Sequence, residues 1–565
     1  MRALNSHEIA ALQSQGNRAL DWSAVFIADG ADLSQIWDCY FHGRVSIGKG
    51  CHLRQVRWLE NYDIADDVTL FNIGSLVGDD KVEPLEVINE NGGRCIYPFP
   101  GMTTGMAYLW ARYRGRTRLM ERLEAFPRQP LHSIGRGTTV RNVLSIRNVW
   151  MDEEVSVADC TSLENGVAHR GCRIESGVIA HRFVLGENVH LEMGLRLNDT
   201  VVGDNSTLAR GEVGNSLLFP AHEQHHNSSF LIAALVQGQS NIASGCTIGS
   251  NHNGRTPSGE LHAGRGFWPG LCTSLKHNSR FASYTLLAKG DYPAELNITL
   301  PFSLVNNNVA RNQLEVMPAY WWMHNMYALD RNNTKFANRD KRQRKAQHIE
   351  YAVLAPDTVE EIIIARALLR EWTAEAYLKS RQEESDPSSP LSTLHSPLSV
   401  KGHGMENSKR DTIILKAAKA YEAYEEMLIY YAMGQLHNTP DFHTDEERQR
   451  QWVNVGGQLM AQPDVEALLS DIEHGKVNSW NDLSARLDTL WQSYPQAKQR
   501  HAYKVLCLLA GANTLTPQHY QHYQSRYAQI QQDIAKKIAA NKAKDATNPY
   551  RQMVYLDQAE QDAVL

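Results

Sequence analysis

Two pentapeptides carry the pattern in this sequence most suggestive of chemistry. His226-Asn-Ser-Ser-Phe230 and His277-Asn-Ser-Arg-Phe281 match at four of five positions. Each runs into a related tail, Leu-Val-Gln-Gly238 in one and Leu-Ala-Lys-Gly290 in the other. His252-Asn253 lies between them, so His226, His252 and His277 fall 26 and 25 residues apart. An imidazole titrates near neutral pH and can take a proton from a hydroxyl or amine. Three neutral imidazoles also suit Zn²⁺, with a fourth position left for water. A third possibility is structural, a ladder of His-Asn pairs that satisfies buried backbone groups. Arg255, Lys276 and Arg280 lie within three residues of the set and Arg265 twelve from it, in glycine-rich segments. With Asn227, Asn253 and Asn278 they form a candidate binding set, since guanidinium forks and exposed backbone N–H groups hold phosphate and other anions.

These residues need a scaffold, and aliphatic spacing supplies one. Ile47, Leu53 and Leu59 stand six apart. So do Ile134, Val140 and Ile146, then Ile179, Leu185, Leu191 and Leu197, then Ile242 and Ile248. A helix repeats at 3.6 and a strand at 2, so neither explains this period. Three short strands per triangular turn do, each giving one inward aliphatic residue, with about 18 residues per coil. The residues that follow the aliphatics, such as Gly186, Glu192, Asn198 and Gly249, tolerate corners. An 18-residue coil plus a loop of seven or eight residues accounts for the histidine intervals. On that arithmetic the three His-Asn pairs stack on one edge.

The spiral is interrupted over residues 79–131. Within it Met106, Leu109, Tyr113, Met120 and Leu123 have helical spacing, and Pro127 stops the run. After about residue 310 the period of six disappears. Tyr320, Trp321, Trp322 and Tyr327 suggest an aromatic clamp onto the solenoid. The basic run Arg339, Lys341, Arg342, Arg344, Lys345 reads first as a solvated helix face, with phosphate binding as the alternative. Pro387, Pro390 and Pro397 among serines mark a linker. Ile414 to Tyr431 and Tyr520 to Ile534 alternate spacings of three and four, as amphipathic helices do. The expected organisation is an N-terminal cap (1–35) and a left-handed parallel β-helix (36–310) with a helical insertion at about 79–131. An aromatic and helical segment (311–380), a linker (381–410) and an α-helical C-terminal domain (411–565) complete it.

Composition excludes several classes. Apolar residues make up 42% and charged residues 21%, with a net charge of −6, so nothing global points to nucleic acid or an anionic membrane. Eight scattered cysteines without a C-x-x-C pair fit reduced thiols in a cytoplasmic protein. The first residues lack a signal-peptide core, and the apolar run Phe230 to Val236 is too short to span a bilayer. No Walker loop, G-x-S-x-G elbow or H-E-x-x-H sequence occurs.

Leu185-Gly-Glu-Asn-Val and Ile242-Ala-Ser-Gly-Cys resemble the hexapeptide-repeat superfamily of trimeric left-handed β-helix proteins, over roughly residues 40–300 with interruptions. That superfamily includes acyltransferases, C-terminal domains of sugar-nucleotide pyrophosphorylases and gamma-class carbonic anhydrases. Gly266-Phe-Trp-Pro-Gly to Leu275-Lys-His-Asn-Ser, Lys289-Gly-Asp-Tyr-Pro-Ala-Glu and Pro318-Ala-Tyr-Trp-Trp resemble a subgroup of large bacterial hexapeptide-repeat proteins carried as a domain of unknown function. The resemblance implies a homotrimer with clefts between subunits and a histidine base. It departs from the carbonic anhydrases, whose close His pair is not matched by these intervals.

Three functions stay open on the sequence. One is a transferase that moves an acyl or related group from an acyl-CoA-like thioester or a sugar nucleotide to a sugar-like or amine acceptor. His252, His277 or His226 would be its base. Another is a non-catalytic scaffold that binds a phosphorylated sugar or nucleotide. The last is a metal-dependent hydratase.

Overall fold

The computed structural model describes residues 1–250, 259–385 and 399–564. Parallel rungs begin at Arg18–Ala19, which pair with Tyr40–Phe41, so the solenoid starts inside the segment expected as a cap. Helix α1 (Ser6–Ser14) precedes it, with Asn5 and Glu8 forming a capping box.

The coil is set by its corners. Asn142, Asn148, Glu154, Asp159, Asn165, Ser176, Arg182, Asn188, Met193, Asp199 and Asn205 all have left-handed φ. Gly171 fills the remaining corner, and the steps run six, six and five. Asn and Asp reach this region at little cost because their short polar side chains bond locally. The coil is therefore 17 residues long, one fewer than the period of six alone gives. Thr139, Ser156, Arg173, His190 and Thr207 follow one another at that interval in register. Beside them Val140, Val157, Ile174, Leu191 and Leu208 point inward and are fully buried. Each such side chain contributes roughly 1.5–3 kcal/mol.

The insertion shows in the same register. Seventy residues separate Leu70 from its rung partner Val140 where seventeen is the rule. The surplus of 53 equals the length of 79–131. The chain leaves at Gly78, where an added Cβ would lie 2.5 Å from the His132 Cβ that resumes the coil. Helices α2 (Thr104–Arg112) and α3 (Thr117–Ala125) then lie along one solenoid face. They cover an outward apolar column, Trp150–Val167–Val184–Val201–Leu217–Leu235, in which each residue is the rung partner of the next.

Parallel rungs end at Leu304, which continues into an antiparallel pair with Gln313–Met317. Short helices α4 (Tyr320–His324) and α5 (Met326–Asn338) follow, with Trp321 donating its indole N–H to the Tyr284 carbonyl at 2.9 Å. The basic run is not a helix face. It is an extended strap clamped to acidic residues beside the solenoid's corners. Arg342 pairs with Asp204 at 2.7 Å and Arg344 with Asp152 at 2.5 Å. The backbone N–H groups of Gln343, Arg344 and Lys345 all donate to the Glu187 carboxylate. Consecutive N–H groups around a left-handed residue, here Lys345 at φ 53°, form a nest for an anion, and the chain supplies that anion itself.

Helix α6 (Pro356–Ser385) returns across the solenoid, and Val400–Gly402 adds a strand to the terminal sheet within the expected linker. Helices α7 (Ala417–Leu436), α8 (Gln462–Glu473), α9 (Trp480–Ala510) and α10 (Pro517–Thr547) form most of the helical half, with a hairpin of Trp452–Val455 and Gln458–Ala461 between α7 and α8 and two short helices, Pro549–Gln552 and Gln558–Val564, after α10. Among the described residues no helix is long and apolar enough to cross a membrane.

Candidate functional site

The outward column changes character where its cover ends. Leu235 is followed in register by His262, then Arg280, then Asn297. These three polar residues face a cleft of about 680 Å³. Its other walls come from far along the chain: Tyr108 and Arg112 of α2, Glu361 of α6, Arg450 just before the hairpin and Trp452 at its start.

His262 is held at one ring nitrogen. Its Nε2–H donates to Glu260 Oε2 at 2.8 Å. The pair stands two residues apart, so the strand alternation puts both side chains on one face. Glu260 is fixed in turn by the insertion. Arg94 grips both its oxygens, at 2.6 and 3.1 Å, and Asn89 donates to Oε1 at 2.8 Å. Burial alone would push the Glu260 carboxyl up. Hydrogen bonds from His262, Arg94 and Asn89 outweigh it and hold the group well below the usual carboxylate range.

The cleft's acids are largely neutralised within the chain. Asp357 receives two bonds from Arg265, both at 2.8 Å. Glu360 accepts from His501 at 2.9 Å and from Arg448. Burial, helped by the charge of Asp357, pushes Glu361 up to about 7, although the Ser283 N–H donates to it at 2.9 Å. Arg112, Arg280 and Arg450, by contrast, carry no ion pair among the described residues. The unbalanced charge of the cleft wall is thus positive, which suits an anionic ligand.

The sequence-derived set is divided by the fold. Arg280 lies in the cleft. Arg265 is a correction: it is 1% exposed and serves as a buried tie between solenoid and α6, bonded to Asp357, Gln239 and the Ala352 carbonyl. Lys276 pairs with Glu295 at 2.5 Å on the next rung. His277 is buried, and its Nδ1 accepts from the Gly259 N–H at 3.3 Å. Asn278 is a left-handed corner whose N–H donates to the Glu260 carbonyl. His226 and Asn227 are exposed on another edge, where Asn227 borders a shallow depression of about 800 Å³. His252, Asn253 and Arg255 lie outside the described residues.

His226 and His277 do not stack. Phe230, Thr247 and Ser274 are successive rung partners. His226 stands four residues before the first, and His277 three after the last, so they occupy opposite ends of that strand position. The extra residues all fall between Thr247 and Ser274, which are 27 apart, whereas Phe230 and Thr247 are 17 apart. The near-equal histidine intervals therefore have no common rung behind them. Glu260-Leu-His262 was the local signal available in the sequence, two polar residues at strand alternation. Arg94, Arg112, Glu361 and Arg450 had none, because they come from unrelated segments. Among the described residues no group of three or more His, Cys, Asp or Glu is placed to hold a metal ion.

Fold and cleft together define a β-solenoid protein whose helical insertion and helical C-terminal region close a polar pocket on one face. Residues 46–373 match the domain of unknown function DUF4954, and the chain belongs to that family. Residues 439–548 match a second domain of unknown function, DUF6819. A Treponema pallidum (strain Nichols) protein described as uncharacterized is 38% identical over 654 aligned positions, covering 100% of this chain and 90% of the relative.

Proposed function

We propose that the chain is a transferase of the hexapeptide-repeat type with His262 as its general base. The observation that carries this reading is the His262–Glu260–Arg94 chain at the cleft wall. It leaves Nδ1 of a fixed imidazole available for a proton, the arrangement that general-base catalysis requires. An acceptor hydroxyl or amine gives its proton to Nδ1, and its lone pair attacks the donor's acyl carbon or equivalent centre. The bond to the thiolate or nucleotide breaks, and the proton passes from His262 to that leaving group. Arg112, Arg280 and Arg450 hold the anionic part of donor or acceptor, a small molecule rather than nucleic acid or membrane.

Two six-residue steps in each 17-residue coil support a left-handed helix of that superfamily, and the threefold assembly usual for it makes a homotrimer the working oligomer. Eight cysteines without a disulfide support a cytoplasmic location.

The test is a panel of acyl thioesters and sugar nucleotides, read by thermal shift and by mass spectrometry of products. Turnover that falls about 10²–10⁴-fold in His262→Gln, with donor binding kept, supports the base. Turnover unchanged in that variant sinks it. The second reading is a non-catalytic scaffold for phosphorylated sugars or nucleotides, favoured by the same three arginines. Binding without turnover in the wild type, unaltered by His262→Gln, selects it. A metal-dependent hydratase has no ligand cluster among the described residues to build on.

A further inference from the structure

The first coils carry a second chemical pattern on a different face. Trp37, Arg54, Phe71 and Arg141 are successive rung partners. All four are exposed, Trp37 at 45% and Phe71 at 39%. Neither Arg54 nor Arg141 has an ion pair among the described residues. The Trp37 indole N–H donates to the Ser34 carbonyl at 2.7 Å, which fixes the ring's edge. The ladder stops at Ala158, the buried rung partner of Arg141. Corner residues Asn142 and Asn148 separate Arg141 from Trp150 of the cleft column, so this surface and the cleft are distinct.

We propose that this ladder binds an acidic oligosaccharide whose charge falls on alternate sugars. Rungs are about 4.8 Å apart, so aromatic rings recur at roughly 9.6 Å and guanidinium groups recur at the same interval, one rung out of phase. A ring face takes the apolar C–H face of a sugar, and a guanidinium takes a carboxylate through two parallel bonds. One cation per two rungs matches a polymer with one carboxylate per disaccharide. A nucleic-acid strand carries a phosphate on every residue and calls for a denser, continuous basic groove, which this chain of net charge −6 does not present here.

The full chain is titrated with three probes by calorimetry: an octasaccharide of alternating uronic acid and N-acetylhexosamine, a neutral cello-oligosaccharide of equal length, and oligothymidylate. The acidic octasaccharide binds at least tenfold more tightly than the other two. Trp37→Ala and Arg54→Ser each weaken it at least tenfold, with unchanged melting temperature. Failure of the acidic octasaccharide to bind overturns the proposal. So does tighter binding of oligothymidylate that the same variants abolish. A change of oligomeric mass in Trp37→Ala also overturns it, because a second copy then covers the face. None of these outcomes bears on His262.

Discussion

His262 Nε2 lies 2.8 Å from Glu260 Oε2, and the carboxylate between His262 and Arg94 joins a solenoid strand to the helical insertion. An insertion that begins after three coils thereby reaches a histidine many rungs away. Removing the carboxylate's charge tests the link. Glu260→Gln keeps the shape but no longer fixes the imidazole tautomer, so turnover falls by about 10²–10⁴-fold, similar to His262→Gln. Nitrogen NMR of the His262 ring shows Nε2–H in the wild type and a tautomer mixture in the variant.

The apolar part of the column should behave as core although it lies outside the coil. Leu217 is fully buried beneath the insertion. Leu217→Ala lowers stability by about 2–5 kcal/mol in urea denaturation, the range for a buried leucine. A loss below about 0.5 kcal/mol, typical of surface sites, shows that the insertion does not seal this face.

Corner chemistry is testable at Asn142, which accepts from Asn72 at 2.9 Å and donates to Asp159 at 2.8 Å at φ 52°. Asn142→Ala loses both bonds and adds left-handed strain of roughly 1–2 kcal/mol. Asn142→Gly loses the bonds alone. Glycine should therefore melt above alanine, and equal melting temperatures sink the assignment of strain.

The strap depends on a buried pair. Arg342 and Asp204 are both buried, and burial pushes the Asp204 carboxyl up even with the guanidinium beside it. Arg342→Met strands that carboxylate and costs about 3–5 kcal/mol. The double variant Arg342→Met with Asp204→Asn recovers part of the loss, as a double-mutant cycle in denaturant reads directly.

Glu361 sets a pH dependence. Its carboxyl is raised from 4.5 to about 7 by burial and the nearby Asp357 charge. Between those pH values the unfolded chain has lost this proton while the folded chain keeps it. Its stabilising contribution is complete below pH 4.5 and is lost as pH rises through about 7. Glu361→Gln removes that slope. Melting curves from pH 5 to 8 should be flatter for the variant than for the wild type, and parallel curves count against the raised carboxyl.

Spacing along the chain determined the solenoid, because each inward aliphatic must recur once per face whatever surrounds it. The expected insertion at about 79–131 lies where that recurrence breaks, and the rung register from Leu70 to Val140 carries 53 residues more than one coil. The coil length was less legible: the five-residue third step is set by backbone at the corners, which aliphatic spacing does not report. The basic strap was misread as a helix face because its partners, Asp152, Glu187 and Asp204, align only once the coils stack. The histidine repeat that first suggested chemistry has the same explanation. Equal sequence intervals place side chains together only if the extra residues are shared evenly between coils, and here all of them fall in one. His262 met Arg94, Glu361 and Arg450 through folding alone. These residues stand about 100 to 190 positions from His262 in the chain, and they share its surroundings because of which outward rungs the insertion covers and which it leaves open.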